Sequence, residues 1–507
     1  MHSDAHRSAP YAEALEAFAD ARPLGLIVPA HGMRADAGAG HLAELLGERA
    51  VQLDVPMLIE GVDLGADSPY ARALELAADA WGARRTWFLA NGASQGNRTA
   101  AFAARGLGER VLIQRNSHSS FIDGLLLAGL VPSFIAPSID AVNGITHGLS
   151  PASLDAALAA EAAAGRAVQT VYIVSPSYFG STSDVAGLAQ VAHEHGAALI
   201  VDGAWGPHFG FHPELPESPL RLGADLVVSS THKLAGSLGQ SAMLHLGDTE
   251  FADRLEPLVA RSYRMTASTS ASSILLASLD VSRRAMVLGS EAIERAIGLA
   301  RQLRSRVSTH PLLALVDDGF DAFPDIVAND LLRVAIDVSA TGRSGHWVRK
   351  RAIEEHGIYF EMSTATTVVV VIGALTIPDV DRIMGAFEEI IGASQASLRR
   401  AESGAALIHP TAAFPELPDP GRLRMLPRDA YFAASELVPA LEAIGRVSAD
   451  TLAAYPPGIP NVMPGEEITA ETVAFLQAVA ASPTGHVRGA ADPLVATLRV
   501  VAKGATE

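Results

Sequence analysis

Ala224-Asp225-Leu226-Val227-Val228-Ser229-Ser230-Thr231-His232-Lys233 runs from a nearly continuous apolar stretch into a polar turn that ends on a lysine. An apolar run without alternation is what a strand covered on both faces requires. A lysine directly after such a strand is poorly set for solvent, and desolvation favours its neutral amine, the form that condenses with an aldehyde. Read alone, the Ser229–Lys233 pentapeptide fits equally a loop lysine whose head reaches the surface.

One strand earlier, ALIVD (198–202) is a second buried run, and it ends on Asp202. Paired with a pyridine nitrogen, a carboxylate there keeps the nitrogen protonated and makes the ring an electron sink. By itself it is an ordinary cap or turn aspartate. A strand-end Asp followed one strand later by a strand-end Lys is the less common combination. A third element is the loop Asn91-Gly92-Ala93-Ser94-Gln95-Gly96-Asn97, set between the strand TWFLA and a helix. Its free N–H groups and the helix dipole favour a phosphate, although an ordinary strand-helix turn has the same composition. Aldehyde, pyridine and phosphate together describe pyridoxal 5'-phosphate (PLP).

Outward from these motifs the chain alternates. From about residue 68 it reads helix YARALELAADAWGA, strand TWFLAN, helix GNRTAAFAARG, strand RVLIQR, helix SFIDGLLLAG and strand PSFIAP. VQTVYIVS, VAGLAQVAHEHG, ALIVDG and ADLVVSS continue the pattern, which predicts a mostly parallel sheet with helices on both faces. Residues 1–65 read as a short helix (11–21) and a Pro/Gly-punctuated arm, 66–290 as the large domain, and 291–394 as a smaller α/β domain. A long helical region over 271–306 leads into this smaller domain, and one strand over IYFEMSTATTVVVVIG is expected within it. Past 394, HPTAAFPELPDPGR reads as a linker to a C-terminal domain, giving 395–507 as the last division.

Composition narrows the chemistry. With 507 residues, 49% hydrophobic and 19% charged, the chain can build two or three packed domains. The net charge of -18 argues against a nucleic-acid binder. The absence of cysteine excludes disulfides, zinc-thiolate sites, iron-sulfur clusters and thiol nucleophiles. No secretion signal or spanning run is read, so a cytoplasmic protein without membrane partners is expected. No HExxH, GxSxG or P-loop pattern occurs, and His193 and His195 are spaced to miss a common metal, so no metal site is expected.

FLANGASQGN, VLIQRNSHSSFIDGLLLAG, VSPSYFGSTSDVAGLA, VDGAWGPHF, SSTHKLAGSLGQSAMLH, TASTSASSILLASLD, GIYFEM and YPPGIPNVMPGEEIT resemble the bacterial ornithine/lysine/arginine decarboxylases over nearly the whole chain. The resemblance implies PLP fold type I, the aspartate-aminotransferase-like fold. In this fold a mostly parallel seven-stranded sheet in the large domain is joined by a smaller α/β domain and a C-terminal module. It implies that Lys233 forms the Schiff base, that Asp202 pairs with the pyridine nitrogen and that His118 stacks on the ring. Ala93, Ser94, Ser230 and His232 would contact the phosphate, Gln95 is grouped with the cofactor-binding residues, and Trp205 would pack beside the cofactor. Thr269 resembles a residue donated across a dimer interface, while Glu361 and Glu466 resemble acidic positions near the substrate entrance. Without the family, His118 reads as a loop histidine, Trp205 as a core aromatic, Thr269 as a helix start and the two glutamates as surface charges.

The implied reaction is loss of carbon dioxide from lysine, ornithine or arginine, with Lys233 or His232 returning a proton to the α-carbon. Transamination, aldol cleavage, oxidative deamination and an inactive regulator of the same fold remain open. Departures bear on substrate choice: Gly203 stands where many members have Glu, Ser119 where many have Lys, His31 lies in PAHG rather than PGHK, and Ala93 replaces a common threonine. Longer members carry an N-terminal wing domain for which the early start of the cofactor domain leaves no room. A homodimer or dimer of dimers with shared sites is therefore expected.

Overall fold

The architecture is that of a computed structural model, which describes residues 4–34, 40–401, 418, 420–455, 459–481 and 486–504. Seven strands carry the large α/β region: β1 (Arg85–Leu89), β2 (Arg110–Gln114), β3 (Val131–Ile135), β4 (Thr170–Val174), β5 (Ala198–Asp202), β6 (Leu226–Ser229) and β7 (Ala242–Leu246). Three helices begin at or beside the predicted site residues: α1 (Gly92–Leu107), α2 (Ser119–Ala128) and the single turn α3 (Thr231–Leu234). Two compact units interleave along the chain. The first comprises Met1–Ala103, Ala198–Arg295 and Gly373–Thr376, and the second Ala104–Ala197, Ala296–Ile372 and Ile377–Glu507.

In the first unit the strand order is β1-β7-β6-β5. β7 runs antiparallel to both β1 and β6, whereas β6 and β5 are parallel, with Asp202 opposite Val228. The C-terminal ends of β1, β5 and β6 therefore open at one edge, where ligands of open α/β sheets bind. Every residue of β5, β6 and β7 is buried, which explains their near-continuous apolar sequences. The helices Pro10–Asp20, Pro69–Trp81 and Ser273–Leu288 pack on one another in this unit. Pro69–Trp81 is well delimited: the Ser68 hydroxyl accepts from Ala71 N at 3.2 Å, Pro69 takes the first turn, and Gly82 ends the helix at φ 73.

In the second unit β4-β2-β3 are parallel neighbours. The seven expected strands are thus present, four in one unit and three in the other, and β7 alone is reversed against the strands it pairs with. A smaller antiparallel sheet has the order β8 (Ala314–Leu315), β9 (Arg333–Asp337), β11 (Thr367–Val371), β10 (Met362–Ser363). The C-terminal part adds β12 (Ser435–Pro439) paired with β16 (Thr497–Val501), and β13 (Leu452–Tyr455) between β14 (Ile459–Val462) and β15 (His486–Arg488). Its own core includes Leu452, Val462, Ile468, Leu476, Leu498 and Val500.

Two expected elements divide. The helical region over 271–306 is two helices, Ser273–Leu288 and Ser290–Thr309, which meet at Gly289, where a Cβ would lie 2.4 Å from the Ala285 carbonyl and 2.8 Å from Leu375, so that glycine alone fits the junction. The strand read through IYFEMSTATTVVVVIG is the hairpin β10–β11, turned where the Thr364 hydroxyl accepts from Thr366 N and Thr367 N at 3.3 and 3.1 Å. Most of the expected linker HPTAAFPELPDPGR, residues 35–39 of the arm and 456–458 of the YPPGIP stretch lie outside the described residues.

Candidate active site

β6 delivers Ser230 and then α3, in which Lys233 N donates to the Ser230 carbonyl at 2.9 Å. Ala374 N donates to the Leu234 carbonyl at 2.8 Å and pins this turn. Lys233 is half-buried, with Nζ 3.7 Å from the centroid of the Trp205 ring. Trp205 arrives from β5 and is 7% exposed, and Trp81 steadies its segment by donating Nε1–H to the Pro207 carbonyl at 3.0 Å. The chain contains only three lysines. Lys350 and Lys503 are both exposed, so Lys233 is the one lysine with a desolvated setting.

Asp202, at the end of β5, is 4% exposed. Its Oδ2 accepts from Asn97 Nδ2 at 3.0 Å and its Oδ1 from Ala204 N at 3.1 Å, which fixes the carboxylate plane. Asn97 reaches it from the second turn of α1. That helix lies close against the sheet because position 96 is glycine: a Cβ there would stand 2.8 Å from Val228 Cγ1 and 3.0 Å from Leu89 Cδ1.

The start of α1 forms a cradle. Gln95 N donates to the Asn91 carbonyl at 3.3 Å, so by helix geometry the N–H groups of Gly92, Ala93 and Ser94 precede the first intrahelical bond. Gly92 adopts φ +71 at the entry, and Ser94 is half-buried beside it. The Gln95 side chain folds back, its Oε1 accepting from Asn91 N at 3.2 Å, so it shapes the loop and does not face outward. His232 is oriented by Nδ1–H donation to the Ser241 carbonyl at 2.9 Å, which leaves Nε2 as the nitrogen available to a ligand. Ser230 is buried at the strand end, and the buried Thr231 hydroxyl beside it has no hydrogen-bond partner among the described residues. Thr269 lies in an exposed turn between the helices Ala252–Thr266 and Ser273–Leu288.

The second unit holds the other candidates. His118 caps α2, with Nδ1 accepting from Ser120 N at 3.2 Å and bonded to Ser120 Oγ at 2.8 Å. An accepting Nδ1 leaves the ring proton on Nε2. Glu361 is exposed just before β10, its N–H donating to the Val369 carbonyl at 3.0 Å. Glu466 is 2% exposed, and both of its oxygens are engaged by Arg115, at 2.6 and 2.9 Å. As placed it serves that arginine and is no open carboxylate for a substrate cation. Asn97 and Arg115 carry no signal of their own in the sequence, although both lie inside the quoted FLANGASQGN and VLIQRNSHSS stretches.

A strand-end amine over an aromatic face, a carboxylate fixed by two donors, a helix start with three N–H groups to give and an orphan buried hydroxyl suit one cofactor. PLP has an aldehyde for the first, a ring nitrogen for the second and a phosphate for the others. Fold and site thus define a PLP-dependent enzyme of fold type I.

Comparison with known proteins narrows that class. The chain belongs to the Orn/Lys/Arg decarboxylase family: residues 9–328 match the major domain and 411–485 the C-terminal domain. It is 33% identical over 474 residues to an arginine decarboxylase of Bacillus subtilis (strain 168), covering 92% of each chain. An arginine decarboxylase of Bacillus anthracis is 30% identical, with 97% of each chain covered. Among solved structures, the constitutive lysine decarboxylase of E. coli shares the fold, with a TM-score of 0.80 at 20% identity over 98% of this chain and 82% of that one.

Proposed function

We propose that the protein decarboxylates a basic amino acid to the corresponding amine and carbon dioxide, with PLP on Lys233. The observation that carries the reading is the setting of Lys233, the only half-buried lysine of three, at the same sheet edge as Asp202 and the start of α1. When bound, PLP supplies an aldehyde for the amine and a protonated ring that takes up the electron pair of the cleaved bond.

The chain's own groups do the rest. Asp202, aligned by Asn97 and Ala204 N, holds the proton on the ring nitrogen. The N–H groups of Ala93 and Ser94, with the hydroxyls of Ser94, Ser230 and Thr231, hold the phosphate, and His232 Nε2 is turned toward the same task. Trp205 fixes the Lys233 side chain by its ring face and excludes water from one side of it. His118 is assigned to the ring face by family resemblance, with Nε2–H outward from its Ser120 anchor. Lys233 Nζ releases the product and, with His232, is the candidate for returning a proton to the α-carbon.

Arginine is the first substrate to test, because the relatives that match nearly end to end bear that name. The product is then an amine of the polyamine class. Among the described residues no helix is long and apolar enough to cross a membrane. A cytoplasmic homodimer, or dimer of dimers, with Thr269 presented to a neighbouring copy completes the reading. The test is to incubate the PLP-loaded protein with arginine, lysine and ornithine while measuring carbon dioxide, amine, ammonia and peroxide. Stoichiometric carbon dioxide and amine from one of them is the expected result. Ammonia with peroxide, or no turnover by a coloured protein, contradicts it.

A further inference from the structure

β2 ends at Gln114, and the next four residues, Arg115 to His118, lead directly into α2. Both ends of this short connection are gripped from the C-terminal part of the same unit. On the upstream side, Arg115 donates Nη1–H to Glu466 Oε1 at 2.6 Å and Nη2–H to Glu466 Oε2 at 2.9 Å, and Nη2 also reaches the Asn461 carbonyl at 3.2 Å. Glu466 is held in turn by Met463 N, which donates to Oε2 at 2.9 Å. The Arg115 guanidinium lies 4.6 Å from the centre of the Phe134 ring, which covers one of its faces. On the downstream side, Arg488 of β15 donates Nη1–H to the Ser119 hydroxyl.

A desolvated pair of this kind is an expensive way to add stability, since apolar side chains of the same size often do as well. What a bidentate arginine-carboxylate pair adds is direction, because its two parallel bonds fix a plane. Here the fixed plane lies three residues before His118, and the second grip lies one residue after it. The ring of His118 is locked to Ser120, but that lock sets the ring only relative to α2. Where the ring stands relative to β2 depends on the path of residues 115–119.

We propose that the C-terminal module is a positioning device for His118, with Glu466 acting through Arg115 and Arg488 through Ser119. The inference rests on the reading that His118 faces the cofactor ring. Glu466, Arg115 and Arg488 are then positioning residues that touch no reacting atom. A displacement of about 1 Å at a reacting geometry can cost on the order of a hundredfold in rate, so a partial release of the loop is expected to show in kcat.

The test uses the PLP-loaded full chain and four variants: His118→Ala, Arg488→Met, Arg488→Lys and Glu466→Gln. Two quantities are read: the kcat and KM split, and the induced circular dichroism of the visible imine band, which needs no turnover. His118→Ala is expected to lower kcat and to alter the dichroic band. Arg488→Met and Glu466→Gln are expected to lower kcat by about tenfold with KM within about twofold, and to weaken the band at unchanged imine absorbance. Arg488→Lys should recover most of the band. Arg488 is an exposed residue, so its variants decide the matter even if Glu466→Gln does not fold. Wild-type kcat and dichroism in Arg488→Met, while His118→Ala differs, overturns the positioning role and leaves the functional reading intact. Unchanged behaviour in His118→Ala overturns both roles assigned to the loop, and a wild-type protein without an imine band overturns the functional reading itself.

Discussion

Asp202 owes its orientation to a residue more than a hundred positions earlier in the chain, and that dependence can be measured. Asn97→Ala removes the donor to Oδ2 and leaves the bond from Ala204 N to Oδ1 in place. Hydrogen bonds to charged groups contribute about 1.5–3 kcal/mol, so kcat/KM is expected to fall on the order of tenfold to a hundredfold, with the imine band retained. On the role proposed for Asp202, Asp202→Asn should cost more, since it would remove the counter-charge of the ring nitrogen and not only its orientation. Behind the same strands, His245 is fully buried between the Thr86 hydroxyl at 2.9 Å and the Ser229 hydroxyl at 3.3 Å, stacked on Trp81. Burial pushes its pKa from the ordinary 6.5 down to about 3. Between those values the unfolded chain binds a proton that the folded one refuses. The stability His245 contributes is therefore present above pH 6.5 and is lost as the pH falls toward about 3. The slope is about 1.4 kcal/mol per pH unit. Urea unfolding across that window should show a slope shallower by about one proton in His245→Asn, and an identical slope contradicts the account. Lys233 and Asp202 are legible in sequence because each closes an apolar run. Asn97, Arg115 and Arg488 are not, because their partners lie far away in the chain and no local pattern announces them.

At the scale of elements, the cofactor cradle depends on how closely α1 approaches the sheet. Gly96→Ala places a methyl group 2.8 Å from Val228 Cγ1, closer than real Cβ atoms sit, and tight against Leu89 Cδ1 at 3.0 Å. Overpacking of this kind costs about 1–3 kcal/mol, and it should move the start of α1 away from the strand ends. Weaker PLP affinity by titration, together with a lower denaturation midpoint, is the expected outcome; unchanged affinity contradicts the cradle assignment. Most of the strands β1 to β6 are legible because buried strands are near-continuous apolar runs, whereas β3 (VPSFI), only partly buried, is read from its place after a helix. β7 (AMLHL) does not read as a strand, since it contains a histidine and comes after the small-residue stretch LAGSLGQS. The helices Pro151–Ala163 and Ala252–Thr266 also escape the sequence pattern: the first is alanine-rich with little amphipathic character, and the second carries Pro257 in its interior. The division at Gly289 and the turn at residues 364–366 depend on contacts with Leu375 and on threonine hydroxyls, which periodicity does not encode.

At the scale of the whole molecule, the chain's start is tied into the unit that carries Lys233. Arg283 and Asp280 are both fully buried and bonded at 2.6 Å, and Arg283 also donates to the His6 and Ser8 carbonyls at 3.0 and 2.6 Å. Asp280 accepts in turn from Tyr11 N at 3.0 Å. Asp280→Ala strands the guanidinium without its counter-charge, a change that costs about 3–5 kcal/mol. Equilibrium unfolding should register that loss, and limited proteolysis should cut residues 4–11 sooner; wild-type stability and resistance contradict the role given to this pair. Family-level resemblance reaches the fold and the cofactor, while the engagement of Glu466 by Arg115 does not follow from it, since the PGEE stretch says nothing of which cation it meets. The central claim is that PLP is joined to Lys233. Borohydride reduction of the PLP-loaded protein followed by peptide mass spectrometry tests it directly: the account predicts one phosphopyridoxyl group, on the peptide containing Lys233. A label on Lys350 or Lys503, or none in a protein that binds PLP and turns over substrate, would contradict it.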